Sequence, residues 1–134
     1  EGPLRPHLGI EVNPNHGLWA FFRKTVGKDG VLSRVALEKK DNTVNYSGRA
    51  WSATELRRKS FKDLHTLWYV VLRERNLLET QLLEANRLGA ILELTPIKQR
   101  VFRCRKTMAR IKYVINERRV AYEGAVQLIT EGNE

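Results

Sequence analysis

The chain has 134 residues, and its 24 Lys and Arg against 15 Asp and Glu give a formal net charge of +9. That length suits one domain, or a small domain with an extension, and its longest uncharged runs, 12–22 and 64–72, fall well short of the roughly 18–20 apolar residues that cross a bilayer. Hydrophobic residues at 42% exclude a disordered polyelectrolyte, while the single cysteine, Cys104, excludes an intramolecular disulfide framework and a cysteine-based zinc site and favours a reducing intracellular compartment.

Turn formers crowd residues 1–50: Gly2, Pro3, Pro6, Gly9, Pro14, Gly17, Gly27, Gly30 and Gly48. They predict an irregular N-terminal extension anchored by Leu18, Trp19, Phe21 and Phe22. Because the chain opens on Glu1 rather than Met, a further segment is expected upstream, such as a cleaved organellar presequence. From Ser52 helix signals take over. Ser52-Ala53-Thr54-Glu55 is a capping box that opens a short helix through about Lys59. Ser60, with Asp63 in the first turn, starts a second helix running to about Glu93. Along it Leu64, Trp68, Val71, Leu78, Leu82 and Ala85 recur at spacings of three, four and seven, as a coiled-coil-like seam requires.

Thr95-Pro96 then reads as an N-cap followed by proline at the first helical position. Val101, Cys104, Met108, Ile111 and Ile115 give this last helix an apolar stripe at 3-4-3-4 spacing. A short join between two long helices predicts antiparallel neighbours. The expected class is therefore all-α. A long antiparallel two-helix hairpin occupies 51–120, a short helix and the irregular arm of 1–50 precede it, and 121–134 continues the second helix into a tail. Two helices make a poor core, and 67–72 is apolar around the whole helix, so the arm and a neighbouring protein are expected to cover the rest.

Catalytic chemistry finds little support. His7 and His16 lack a third ligand at metal spacing, His65 reads as a helix-surface residue, and Cys104 and Met108 read as core packing. Gly27-Lys28-Asp29 resembles the end of a phosphate-binding loop, but Asp29 stands where Ser or Thr is needed and Phe22 where the first Gly is needed. Asn45-Tyr46-Ser47 is a glycosylation sequon without secretory context. The carboxylates of the first long helix alternate with bases, which indicates a salt-bridged surface rather than paired catalytic acids. No enzyme, cofactor or metal is expected.

The charge is concentrated. Residues 97–119 hold Lys98, Arg100, Arg103, Arg105, Lys106, Arg110, Lys112, Arg118 and Arg119 against Glu117 alone. A charge carried for solubility would be spread out. Lys98, Arg105, Lys112 and Arg119 repeat every seven residues beside the apolar seam, and Arg103, Lys106 and Arg110 form a second row. Such a helix can hold a nucleic-acid backbone on one side and its partner helix on the other. Arginine predominates, which suits bidentate phosphate contacts. Neither the aromatics of an RNA-recognition motif nor zinc-finger spacing occurs, so sequence-specific base reading is not indicated.

Glu55-Leu56-Arg57-Arg58-Lys59-Ser60-Phe61-Lys62-Asp63-Leu64 resembles the E-L-R-x-K-S-x-x-[DE]-L opening of the universal large-subunit ribosomal protein family numbered twenty-nine. Met108-Ala109-Arg110-Ile111-Lys112, followed by Asn116-Glu117-Arg118, resembles its second-helix signature, with Leu72-Arg73-Glu74 and Gln81 in their places between. The resemblance covers about 52–119. The run from Asp63 through Trp68-Tyr69-Val70 to Asn76, and the upstream Gly17-Leu18-Trp19-Ala20-Phe21-Phe22, are similar to the mitochondrial branch, numbered forty-seven in the mitochondrial nomenclature. Glu79 departs from the usual bacterial Arg, so an RNA contact is not carried over there. A longer spacing between Gln81 and Ala109 than in bacterial members lengthens the hairpin tip.

The resemblance implies a structural constituent of the mitochondrial large ribosomal subunit, in the matrix, lying on ribosomal RNA near the nascent-chain exit tunnel. Its partners would be that RNA and neighbouring ribosomal proteins at the tunnel exit, without homo-oligomer formation or a membrane span. Phosphates would be met by the nine bases of 97–119, Lys98 to Arg119, with Arg57, Arg58 and Lys59 as a second cluster at the open end of the hairpin. Trp19, Phe21, Phe22, Trp68, Tyr69 and Val70 would form protein interfaces, the helical three with a neighbour or with the chain's own arm. A coiled-coil interaction module and a nucleic-acid-binding regulator outside the ribosome remain as rival classes.

Overall fold

A computed structural model describes residues 12–37 and 48–133. Among these, a 3-10 helix (Gly17–Phe21) is followed by strands β1 (Arg23–Val26) and β2 (Leu32–Val35), then helices α1 (Ala53–Arg57), α2 (Phe61–Leu88) and α3 (Ile91–Glu131). His7 and the sequon Asn45-Tyr46-Ser47 lie outside the described residues.

The starts of α1 and α2 follow their caps. At α1 the Glu55 N–H donates to Ser52 Oγ at 3.3 Å and the Ser52 N–H donates to Glu55 Oε2 at 3.0 Å, so two orphan amides are satisfied reciprocally. At α2 the Asp63 N–H donates to Ser60 Oγ at 3.1 Å. Arg49 grips the Glu55 carboxylate in a two-toothed ion pair. That guanidinium first, then the Ser52 backbone N–H, lowers the Glu55 pKa from its ordinary 4.5 to about 2. A depressed folded-state pKa contributes stability that is present above the unfolded value and lost as pH falls toward the folded one. We expect the α1 end to loosen as pH falls from about 4.5 to 2, and Glu55→Gln to remove this acid dependence from a far-UV circular-dichroism titration.

The reversal between the long helices sits earlier than the sequence suggests. α2 stops at Leu88, because Gly89 takes a left-handed conformation with φ 68°. The Gly89 N–H donates to the Asn86 carbonyl at 3.2 Å and the Ala90 N–H to the Ala85 carbonyl at 2.9 Å. This is the paired closure of a Schellman motif, which satisfies carbonyls that the helix end would otherwise orphan. Thr95-Pro96 therefore lies inside α3, not at its start. Pro96, sixth in the helix, has no N–H to give the Leu92 carbonyl. A β-carbon added at Gly89 would meet nothing within 4 Å, so Gly89→Ala should cost only the left-handed penalty of about 1–2 kcal/mol. Urea unfolding would show this as a lower midpoint at unchanged slope.

Helices α1, α2 and α3 bury two clusters. Leu56, Leu64, Ile111 and Val114 form one at the open end, flanked by Ala53, Leu67, Trp68 and Ile115. Leu78, Ala85, Ile97 and Val101 form the other toward the reversal, flanked by Leu37, Leu82, Ala90, Leu94 and Cys104. Val71, Leu77 and Met108 are also buried. Leu64, Val71, Leu78 and Ala85 thus bury the heptad seam, while Trp68 and Leu82 are only half-buried. Gln81 and Thr107 are buried beside them. Thr107 Oγ1 accepts from the Trp51 N–H at 3.2 Å and donates to the Arg103 carbonyl at 3.0 Å.

The described part of the N-terminal arm includes a small two-stranded sheet. β1 and β2 pair antiparallel from Arg23↔Val35 to Val26↔Leu32. Gly27-Lys28-Asp29-Gly30 is their turn: Gly30 has φ 72°, and the Gly27 N–H donates to the Val31 carbonyl at 3.0 Å. The near-match to a phosphate loop is hairpin chemistry. Arg23 of β1 pairs with Glu74 of α2, and Leu37 packs on the second cluster, so the arm lies along the hairpin.

Candidate nucleic-acid interface

The basic residues of α3 divide by what they touch. Four face inward or sideways. Arg100 pairs with Glu74 at 3.3 Å, and the half-buried Arg103 lies near Gly48. Arg110 donates to the Trp51 carbonyl at 2.7 Å. Arg118 donates to the carbonyls of Arg57, at 3.3 Å, and Lys59, the residues where α1 ends. Among the described residues, these groups brace the segment 48–59 and the arm against α3. Arg119, at the end of the heptad stripe, pairs with Glu123 at 2.8 Å, and Arg57 pairs with Glu117 at 3.1 Å. Lys59 stands 5.7 Å from the centre of the Trp51 ring, and Arg58 is exposed.

Lys98, Arg105, Lys106 and Lys112 point outward from α3 and have no carboxylate partner among the described residues. Three of them rim a groove of about 720 Å³ that runs between α2 and α3. Leu72, Met108 and Ala109 line its apolar part. Trp68 and Phe102 stand on its walls, and Arg75 of α2 joins Arg105, Lys106 and Lys112 as its cations. The Lys112 ammonium lies 5.6 Å from the Trp68 ring centre, and Lys106 lies 5.6 Å from that of Phe102, where ring quadrupole and cation attract. Among the described residues no acidic side chain lines the groove. Sequence reasoning missed Arg75 and Phe102. Trp68, Leu72 and Arg75 share a helix face at spacings of four and three, and Phe102 lies one turn before Arg105 and Lys106, so helical projection could have found both.

The opposite side of the hairpin differs. A second cavity of about 590 Å³ is lined by Phe22, Arg23, Trp51, Val70, Glu74, Arg103 and Cys104, among others. Its carboxylate, Glu74, accepts from both Arg23 and Arg100. Burial, ahead of the charge of Glu74, raises the Cys104 pKa, which leaves the thiol protonated and unreactive at neutral pH.

The residues assigned to protein interfaces do not share one patch. Trp68 faces the basic groove and Val70 lines the second cavity. Tyr69, 58% exposed, stacks edgewise on His65, which in turn stacks on Phe61, as an outward ladder on α2. Trp19 is held within the arm: its indole N–H donates to the Asn13 carbonyl at 2.9 Å, and its ring meets Phe22 and the Arg34 guanidinium. Phe21 is exposed. His16 caps the 3-10 helix, its Nδ1 accepting from the Leu18 N–H at 3.2 Å. From Arg119 onward every described residue of α3 is exposed, including Tyr122, Val126, Leu128 and Ile129. Among the described residues no helix is long and apolar enough to cross a membrane.

Among the described residues, an α-helical hairpin with a cation-lined groove between its two long helices defines a class, that of basic helical-hairpin proteins. Comparison with known proteins narrows this to a family. Residues 18–118 match the family model described as "Mitochondrial 39-S ribosomal protein L47", and the chain belongs to that family. The protein described as large ribosomal subunit protein uL29m of Emericella nidulans is 42% identical over 122 residues, covering 91% of this chain and 52% of the relative. Its counterpart in Scheffersomyces stipitis is 39% identical over 132 residues, covering 96% of this chain and 41% of the relative. That of Aspergillus fumigatus is 40% identical over 122 residues, covering 91% and 52%. The chain spans roughly half the length of these relatives or less. Its family is ribosomal, as the two spaced motifs indicated, and mitochondrial, as the run from Asp63 to Asn76 and the Gly17–Phe22 element indicated.

Proposed function

We propose that this chain is a non-enzymatic structural constituent of the mitochondrial large ribosomal subunit, and that it binds ribosomal RNA through the groove face of its helical hairpin. The observation that carries this reading is the row of Lys98, Arg105, Lys106 and Lys112, exposed along one face of α3, joined by Arg75 across the groove and opposed there by no acid among the described residues. Cations left unpaired on a rigid helical frame can replace the counterions of a phosphate backbone. The position we propose, near the nascent-chain exit tunnel, rests on the family resemblance. Neighbouring ribosomal proteins, rather than a second copy of the chain, would then cover the outward ladder of Phe61, His65 and Tyr69 and the exposed end of α3. Sedimentation of mitochondrial lysate tests the assignment. The protein should travel with the large subunit at moderate salt, and recovery mainly in the free pool would overturn it.

A further inference from the structure

We infer that the α2–α3 groove is a site for one unpaired nucleotide, its base against the Trp68 and Phe102 rings and its phosphate among Arg75, Arg105 and Lys112. This deepens the RNA-binding reading and rests on it. Phosphate contacts alone would need only cations on an outer surface. Here the cations surround an apolar recess. Its volume of about 720 Å³ falls within the roughly 300–1,000 Å³ of small-ligand sites.

Phe102 is 56% exposed with a basic residue one turn after it, and it is not part of either core cluster. Trp68 packs against the Leu56–Leu64–Ile111–Val114 cluster and also lines the groove. A double helix hides the faces of its bases and offers these rings nothing to stack on, whereas an unpaired base offers a π-face. Every base has such a face, and stacking on aromatic rings is tolerant of base identity. The site should therefore tolerate any base. An acidic peptide is the rival occupant. The four cations around two rings favour the nucleotide, which supplies a planar ring and an anion within one residue.

The test uses the full chain with Trp19→Phe and Trp51→Phe, so that Trp68 is the only indole, after circular dichroism shows the helices intact. It is titrated with hexauridylate and with an abasic ribose-phosphate hexamer. Hexauridylate should quench Trp68 and the abasic hexamer should not. Phe102→Ala, which alters no core residue, should weaken hexauridylate at least about fivefold, the weak end of base–aromatic stacking, and leave abasic binding unchanged. Equal affinity for both hexamers with no effect of Phe102→Ala would overturn the nucleotide site while phosphate binding stands. Loss of the RNA reading itself would look different: neither hexamer would bind and the chain would sediment free of the subunit. Tighter binding of a Glu-Phe hexapeptide than of hexauridylate would also overturn the inference.

Discussion

Replacing Arg105 and Lys112 together by Glu is expected to weaken binding to large-subunit ribosomal RNA by at least about a hundredfold, because hydrogen bonds to charged groups contribute about 1.5–3 kcal/mol each. Both side chains are exposed on the groove side of α3 and have no carboxylate partner among the described residues. The fold should hardly notice. Lys112 gives up its position over the Trp68 ring, worth about 0.5–1 kcal/mol at an exposed site, and Arg105 has no internal hydrogen bond to lose among the described residues. Salt dependence separates the phosphate effect from any general loss. Each abolished phosphate contact should reduce the slope of log K against log salt by roughly 0.7–0.9. Arg118→Ala is the informative control. Its guanidinium serves the carbonyls of Arg57 and Lys59, so its loss should lower stability and leave the salt slope nearly unchanged. A double Glu variant that kept the parent's slope would remove the groove face from consideration.

That contrast between Arg105 and Arg118 marks where the sequence stops being informative. Both are arginines in the same basic run, one beside the seam and one at its end. What distinguishes them is a carbonyl about sixty positions away, and no local pattern encodes it. The same holds for Arg100, whose partner Glu74 lies on the other helix, and for Arg110, which reaches Trp51. The stripe of positive charge was legible; its division into bracing and open cations was not.

The fold shows a similar boundary. The heptad Leu64, Val71, Leu78 and Ala85 and the caps at Ser52 and Ser60 were legible because each follows from local period or local hydrogen bonding. The reversal was not. Gly89 inside an apolar pattern looks like a tolerated glycine, and Thr95-Pro96 carries real helix-start chemistry. Two backbone hydrogen bonds to a left-handed glycine settle the competition in favour of the earlier stop. The β-hairpin escaped because four-residue strands are too short to display a period.

Leu56→Ala should be the most destabilising single substitution at the open end of the hairpin, at about 2–5 kcal/mol. Leu56 is fully buried against Leu64, Ile111 and Val114, and it is the only buried residue of α1. A five-residue helix has no stability of its own, since nucleation costs more than one turn returns. Its other ties include the capping box, the Arg49–Glu55 pair, the packing of Ala53 on the same cluster, the Arg57–Glu117 pair and the Arg118 bonds to the carbonyls of Arg57 and Lys59. The Arg57–Glu117 pair is exposed and contributes about 1 kcal/mol at most. Two outcomes can be told apart. If α1 stays docked over a cavity, Leu56→Ala and Arg118→Ala will add within about 0.5 kcal/mol. We expect the double variant to fall short of the sum, because an α1 that has already left leaves Arg118 with no carbonyl to hold. Arg57, Arg58 and Lys59 would then leave with it, so RNA affinity should drop although no basic residue has been changed. Additive costs, with RNA affinity at the parent's value, would show instead that α1 remains seated without its leucine.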